Sequence, residues 1–180
     1  MKDALAIHRM LLEREVHHEI VRLPRAIANA DELPDVLGLR AGRCLTTRVF
    51  AVVPRASAFP AHLSVVIMRA GSTPRFSGLR EALDARTVRT AGADLINATT
   101  DYAASLVCPL LLPDDMPIFI DQDVIDDLGV DDVVYTATGE PSTALGIRTL
   151  DLYAICGAKP IDLRAAPRPL RRATTTRPRG

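Results

Sequence analysis

Four histidines, three cysteines and a dense run of aspartates are the side chains of this 180-residue chain best suited to chemistry. His17 and His18 are adjacent, so on a strand they point to opposite faces and cannot serve one site together. His8 and His62 have no partner nearby in sequence, and all four histidines read as structural. Cys44, Cys108 and Cys156 are odd in number and widely spaced, with no CxxC or Cys/His pair. Neither a disulfide framework nor a zinc site is expected, and a reducing cytoplasm is the compartment that fits. Arg43 precedes Cys44, and a neighbouring cation can favour a thiolate. Cys44 nevertheless opens an apolar run, where small buried cysteines are common, so the three thiols read as structural. Eight acids lie between Asp114 and Asp132 with no base among them. Clustered carboxylates suit a hard cation, but EF-hand spacing is missing, and the run reads as a solvated loop with acids at a helix N-terminus. No GxGxxG, P-loop, HExxH or GxSxG motif occurs. Neither a metal nor a cofactor is expected.

The elements that must position these groups are short. Ala4 to Arg14 repeats apolar residues at helical spacing, and Val16 to Leu23 alternates like a strand. Asp31 to Leu37 is expected to be a short helix stopped by Gly38. Cys44 to Val53 and His62 to Met68 are β-branched runs that read as strands. Phe76 to Ala85 and Asp94 to Thr100 follow helical patterns. Pro117 to Asp121 and Asp132 to Thr138 read as short strands around a helical turn at Gln122 to Leu128. Thr149 to Cys156 reads as the last helix, stopped by Gly157. Strands and short helices mix without regular βαβ alternation, which predicts an α+β (mixed α/β) fold rather than a doubly wound one.

Composition agrees with one folded domain. Apolar residues make up 48% and charged residues 24%, a globular balance. Aromatics are only 4% and Trp is absent, so the core must be built from Ala, Leu, Val and Ile. No apolar stretch approaches the roughly 20 residues of a membrane span, and the N-terminus lacks the continuous apolar region of a secretory signal. The formal net charge is zero, but six arginines and no acid lie in residues 164–180. Residues 1–163 therefore hold 16 of the 22 basic groups against 22 acids, a net of −6. The chain has only two lysines, Lys2 and Lys159.

The run from Thr100 to Pro109 (TDYAASLVCP), followed by Pro117-Ile118-Phe119-Ile120-Asp121, resembles the signature loop of the YbaK family, the prolyl-tRNA-synthetase-associated aminoacyl-tRNA deacylases. That family reads roughly tGyxxGGxSP, then an apolar strand ending in Asp. Leu37-Gly38-Leu39 followed by Arg43-Cys44-Leu45 is similar to its "lg…KTL", and Thr149-Leu150-Asp151-Leu152 to its "gDL". Order and spacing agree over about residues 4–163.

The resemblance implies a barrel-like mixed sheet with flanking helices and hydrolysis of the ester of mischarged aminoacyl-tRNA. Such editing corrects errors between small amino acids that pocket binding alone discriminates poorly. It implies no metal, attack on the ester by water or by a group of the substrate, and an oxyanion stabilised by backbone N–H groups and a cation. The family's Lys falls on Arg43, which keeps the charge but is planar and cannot act as a neutral amine. The loop's first Gly falls on Ser105 and the second on Leu106, which is expected to narrow the pocket. Tyr102 and Pro109 match, an Asp carried by some members falls near Ala144, and Thr136 and Thr138 lie near a hydroxyl position. Arg43 and Ser105 are thereby the expected catalytic residues. Tyr102, Leu106, Val107, Cys108, Pro109 and Thr138 are the expected substrate-binding residues. The expected partners are the aminoacyl-tRNA 3′ end and a synthetase. The other reading is a non-catalytic relative that binds aminoacyl-tRNA, a synthetase or a small ligand. Residues 164–180, rich in Arg and Pro, are expected to be a disordered tail with phosphate contacts to tRNA.

Overall fold

Local chemistry explains where the elements begin. The computed structural model describes residues 1–56 and 58–164. The Asp3 side chain caps helix α1 (Ala4–Glu13) by accepting from the Ala6 amide at 2.8 Å. That helix buries Ile7 and Leu11, one turn apart on one face. Strand β1 (His18–Arg22) follows. Asn29 and Glu32 form a capping box on a 3₁₀ turn (Ala30–Glu32) that runs into α2 (Leu33–Leu37). Gly38 ends α2 at φ 66°, a left-handed conformation that glycine adopts without steric cost.

The sheet is organised around the long strand β2 (Cys44–Pro54). Along one edge β3 (His62–Arg69) runs antiparallel, from Leu45 opposite Arg69 to Val52 opposite His62. Along the other edge two strands share the length. β6 (Val133–Ala137) runs parallel at Cys44 and Leu45. β4 (Ala85–Thr90) runs antiparallel from Phe50 to Pro54. Between them, residues 46–49 have no strand on that edge. Outward from β6 come β7 (Thr143–Arg148) and then β1. Outward from β3 come β5 (Ile118–Asp121) and then β8 (Lys159–Ile161), both parallel to their neighbours. Helices α3 (Phe76–Ala82), α4 (Ala93–Thr100), α5 (Gln122–Asp127) and α6 (Thr149–Cys156) complete the mixed α/β architecture.

Strand alternation divides the core. Leu45, Val49, Val65, Ile67, Val134, Leu145 and Ile147 join Ile7 and Leu11 of α1 in one apolar cluster. Cys44 packs with Leu33, Ala137 and Ala144, and Phe50 and Val52 pack with Val66, Met68 and Leu79, in two further clusters. Three strands escape sequence patterning. β4 alternates poorly because Arg86, Thr87, Arg89 and Thr90 are all exposed. β7 is buried at four consecutive residues, including Gly146, between β1 and β6, so it shows no period of two. β8 is only three residues long. The expected helix over 76–85 stops at Ala82, and Asp84 turns the chain at φ 44° into β4.

Candidate functional site

The loop from Asp101 to Pro113 is held rigidly from beneath. The Tyr102 hydroxyl donates to the Leu110 carbonyl at 2.9 Å, and the side chain is fully buried. The Thr100 hydroxyl donates to the Ile96 carbonyl at 2.8 Å and accepts from the Tyr102 amide at 3.2 Å. Lys2 Nζ donates to the Thr100 carbonyl at 3.0 Å and to the Leu111 carbonyl, and sits 5.4 Å from the Tyr102 ring centre. Gly139 presses on the same ring: a Cβ there would lie 2.7 Å from Tyr102 and 2.6 Å from the Lys2 carbonyl. Leu106 packs with Leu23, Ile27, Leu33 and Cys44, while Val107 and Cys108 belong to the main cluster. Burial pushes the Cys108 thiol up to about 12 and that of Cys44 up to about 11, so neither is a ready nucleophile. Thr138 is buried in the β6–β7 turn, with its hydroxyl 2.6 Å from that of Thr143.

The residues singled out from the sequence therefore separate. Ser105 is exposed and lines a cavity of about 290 Å³ beside β2. Pro109 lines a different cavity of about 490 Å³, with Leu110 to Pro113, Met10, Lys2 and Lys159. Arg43 lines a third depression with Arg40, Arg69 and Asp127, where its Nη2 pairs with Asp132 at 2.8 Å and its Nη1 donates to the Val133 carbonyl at 3.3 Å. The Gly129 amide, and after it Arg43, holds the Asp132 carboxyl below the usual carboxylate range. Tyr102, Leu106, Val107, Cys108 and Thr138 border none of these three cavities.

The cavity beside Ser105 has its own cation. Thr46, Thr47, Arg48, Val49 and Phe50 line it in succession, together with Asn29, Asp31, Thr90, Ile96 and Ala104. Arg48 Nη2 pairs with Asp31 Oδ2 at 2.8 Å and donates to the Ser72 carbonyl at 3.1 Å. Asp31 Oδ1 accepts from the Gly71 amide at 2.8 Å, and the Ala30 amide donates to the Ser105 carbonyl at 3.1 Å. The 3₁₀ turn thus ties the loop to the arginine. The Nε of Arg48 and the hydroxyl of Thr47 are buried with no hydrogen-bond partner among the described residues. A cation held in place by Asp31, next to an exposed hydroxyl, can bind a polar acyl group and stabilise negative charge on its oxygen. Arg48 was missed in the sequence because no motif marks it. Its only signal is a charge inside an otherwise uncharged strand.

The aspartate run is dispersed among arginines. Asp127 pairs with Arg69, Asp132 with Arg43, and Asp123 and Asp126 with Arg164. Asp121 caps α5. Among the described residues no group of three or more His, Cys, Asp or Glu side chains is arranged to hold a metal ion. No helix among them is long and apolar enough to cross a membrane. Apart from Arg164, the Arg-rich tail lies outside the described residues.

Comparison with known proteins bears on the whole domain. The family model described as "Aminoacyl-tRNA editing domain" matches residues 24–155. One similar solved structure is described as a proposed trans-editing enzyme for prolyl tRNA synthetase. It is 20% identical with a TM-score of 0.71, over 89% of this chain and 95% of that one. Another, the hypothetical protein APE2540, is 17% identical with a TM-score of 0.73, over 87% of this chain and 97% of that one. No match was found among curated proteins.

Proposed function

The chain belongs to the aminoacyl-tRNA editing domain family, and from that premise we propose that it hydrolyses the ester of mischarged tRNAs carrying small amino acids, in the cavity between Ser105 and Arg48. The observation that carries the reading is the meeting, in one cavity, of the Ser105 segment of the signature loop with Arg48, a partly exposed cation of β2. Family membership supports an aminoacyl-tRNA substrate, and a synthetase is a partner consistent with it. Ser105 would form the ester-binding wall, and Arg48 would hold the acyl oxygen as charge develops on it. Water attacks the carbonyl carbon, the bond to the tRNA 3′-terminal ribose oxygen breaks, and a proton from the water passes to that oxygen, releasing a free amino acid and intact tRNA. The volume of about 290 Å³ has room for an amino acid.

Arg43, the position that resembles the family's Lys, is the competing cation, and mutagenesis separates the two. Deacylation of tRNAs mischarged with alanine, serine and other small residues is the direct assay. Arg48→Ala should lower kcat/KM about 10²-fold, the scale of a lost oxyanion partner, and Arg48→Lys should retain part of the activity. Arg43→Ala should stay within about twofold of the parent. The reverse pattern would return the role to Arg43. Binding of the same tRNAs without turnover would identify a non-catalytic relative.

A further inference from the structure

β2 is bare where the cavity meets it. The Val49 carbonyl accepts from the Ala91 amide, on the edge facing β4, whereas the Cys44 carbonyl accepts from the Ala70 amide, on the edge facing β3. Backbone groups alternate between edges along a strand. Odd-numbered residues 45, 47 and 49 therefore direct their N–H and C=O toward β6 and β4. Leu45 is opposite Thr136 of β6, and the β4 ladder begins at Phe50. Thr47 lies in the gap. Neither ladder on this edge has a bridge at Thr47, and no turn, loop or side-chain hydrogen bond reaches its amide or carbonyl among the described residues; its hydroxyl, on a residue 95% buried, has no partner among them. The cavity is lined by five consecutive residues of β2, whose side chains point to both faces, so it lies along this edge rather than on one face. An unpaired amide and carbonyl on one residue are costly to leave unmet.

We propose that the main chain of Thr47 reads the α-amino and carbonyl groups of the substrate's amino acid, so that the site takes esters of free α-amino acids and excludes those whose amino group is blocked or absent. The inference rests on the deacylase reading above. An amino acid carries an N–H donor and a C=O acceptor spaced like those of a strand residue. It can exchange two hydrogen bonds with Thr47 as a hydrogen-bonded antiparallel pair does: ammonium to the Thr47 carbonyl, acyl oxygen to the Thr47 amide. The first bond is charge-assisted and needs an unblocked amine. The second places a donor on the oxygen that gains charge, beside Arg48. Because both bonds use main chain, they accept any side chain the cavity can hold, and the selection falls on the amino group.

The probes are three amide analogues of the aminoacyl end, 3′-deoxy-3′-(alanylamino)adenosine and its N-acetylalanyl and propionyl counterparts, titrated into the full chain with amide hydrogen exchange followed by NMR. In the free protein the Thr47 amide should exchange at least tenfold faster than those of Thr46 and Arg48, which face β3. The alanyl probe should slow Thr47 exchange by at least tenfold. The two counterparts should bind about 10–100-fold more weakly, the scale of one hydrogen bond to a charged group, and leave Thr47 exchange unchanged. Equal binding of all three, or a bound alanyl probe that leaves Thr47 exchange unaltered, overturns the inference. If mischarged tRNA is still hydrolysed in that case, the deacylase reading stands without it. No turnover together with no binding of the alanyl probe sinks both.

Discussion

Arg43 and Arg48 bracket the start of β2, and each is held by one carboxylate, Asp132 and Asp31 respectively. Their surroundings differ more than their chemistry. Arg48 has a buried, unpartnered Nε beside a cavity, whereas Arg43 sits over a charged depression. Partly exposed ion pairs are worth only about 0.2–1 kcal/mol, so Arg48→Ala should fold normally and report on activity. The thiols offer a test of the same packing. Cys44 and Cys108 are fully buried with thiols raised to about 11 and about 12. Iodoacetamide at neutral pH should therefore modify only Cys156 in the native protein, and all three after unfolding, as read by intact mass. Asp121 makes a prediction about pH. Burial raises its carboxyl above the ordinary value, outweighing the Asp123 amide that bonds it. A carboxyl raised by folding favours the native state when protonated and opposes it when ionised. Asp121→Asn, which can still cap α5, should thus raise Tm at neutral pH by roughly 1–3 °C, a gain that shrinks as the pH falls through the carboxylate range.

At the scale of elements, the support beneath the loop is the part most exposed to damage. Tyr102→Phe removes the donor to the Leu110 carbonyl and leaves that acceptor buried, at a cost of about 1–3 kcal/mol. Gly139 has φ 93° and no room for a Cβ against the Tyr102 ring. Gly139→Ala should therefore cost at least as much, since backbone strain and steric overlap act together. Urea unfolding with both variants gives the comparison, and a Gly139→Ala protein as stable as the parent would show that the β6–β7 turn shifts freely. The legibility of elements in the sequence followed their surroundings. α1 was readable because Ile7 and Leu11 face one core while Leu5 and Leu12 stay exposed. β7 was not, because strands on both of its edges and apolar packing around it erase the alternation.

Across the whole molecule, charge is divided between a body with excess acid and an arginine-rich end. Arg164 is tied to Asp123 and Asp126, so the folded unit extends at least that far. We propose that the arginines beyond it engage tRNA phosphates. A chain cut after Arg164 should keep its Tm and its hydrolysis of a minimal aminoacyl ester. It should lose tRNA affinity and flatten the salt dependence, by up to about one log–log unit per phosphate contact removed. Equal affinity and equal slope with and without those residues would rule out the arm.

The order of the helices, five of the eight strands and the family likeness were legible in the linear chain, because local periodicity, capping residues and the spacing of the 100–109 loop are properties of neighbouring residues. The identity of the cavity was not. Arg43 and Ser105 both follow from family spacing, yet they open onto different depressions, while Arg48 meets Ser105 through the Ala30–Glu32 turn. The bare edge at Thr47 exists only because β6 ends and β4 begins on either side of it. Strand pairing between segments some ninety residues apart decides which backbone groups remain unmet, and no local pattern encodes that.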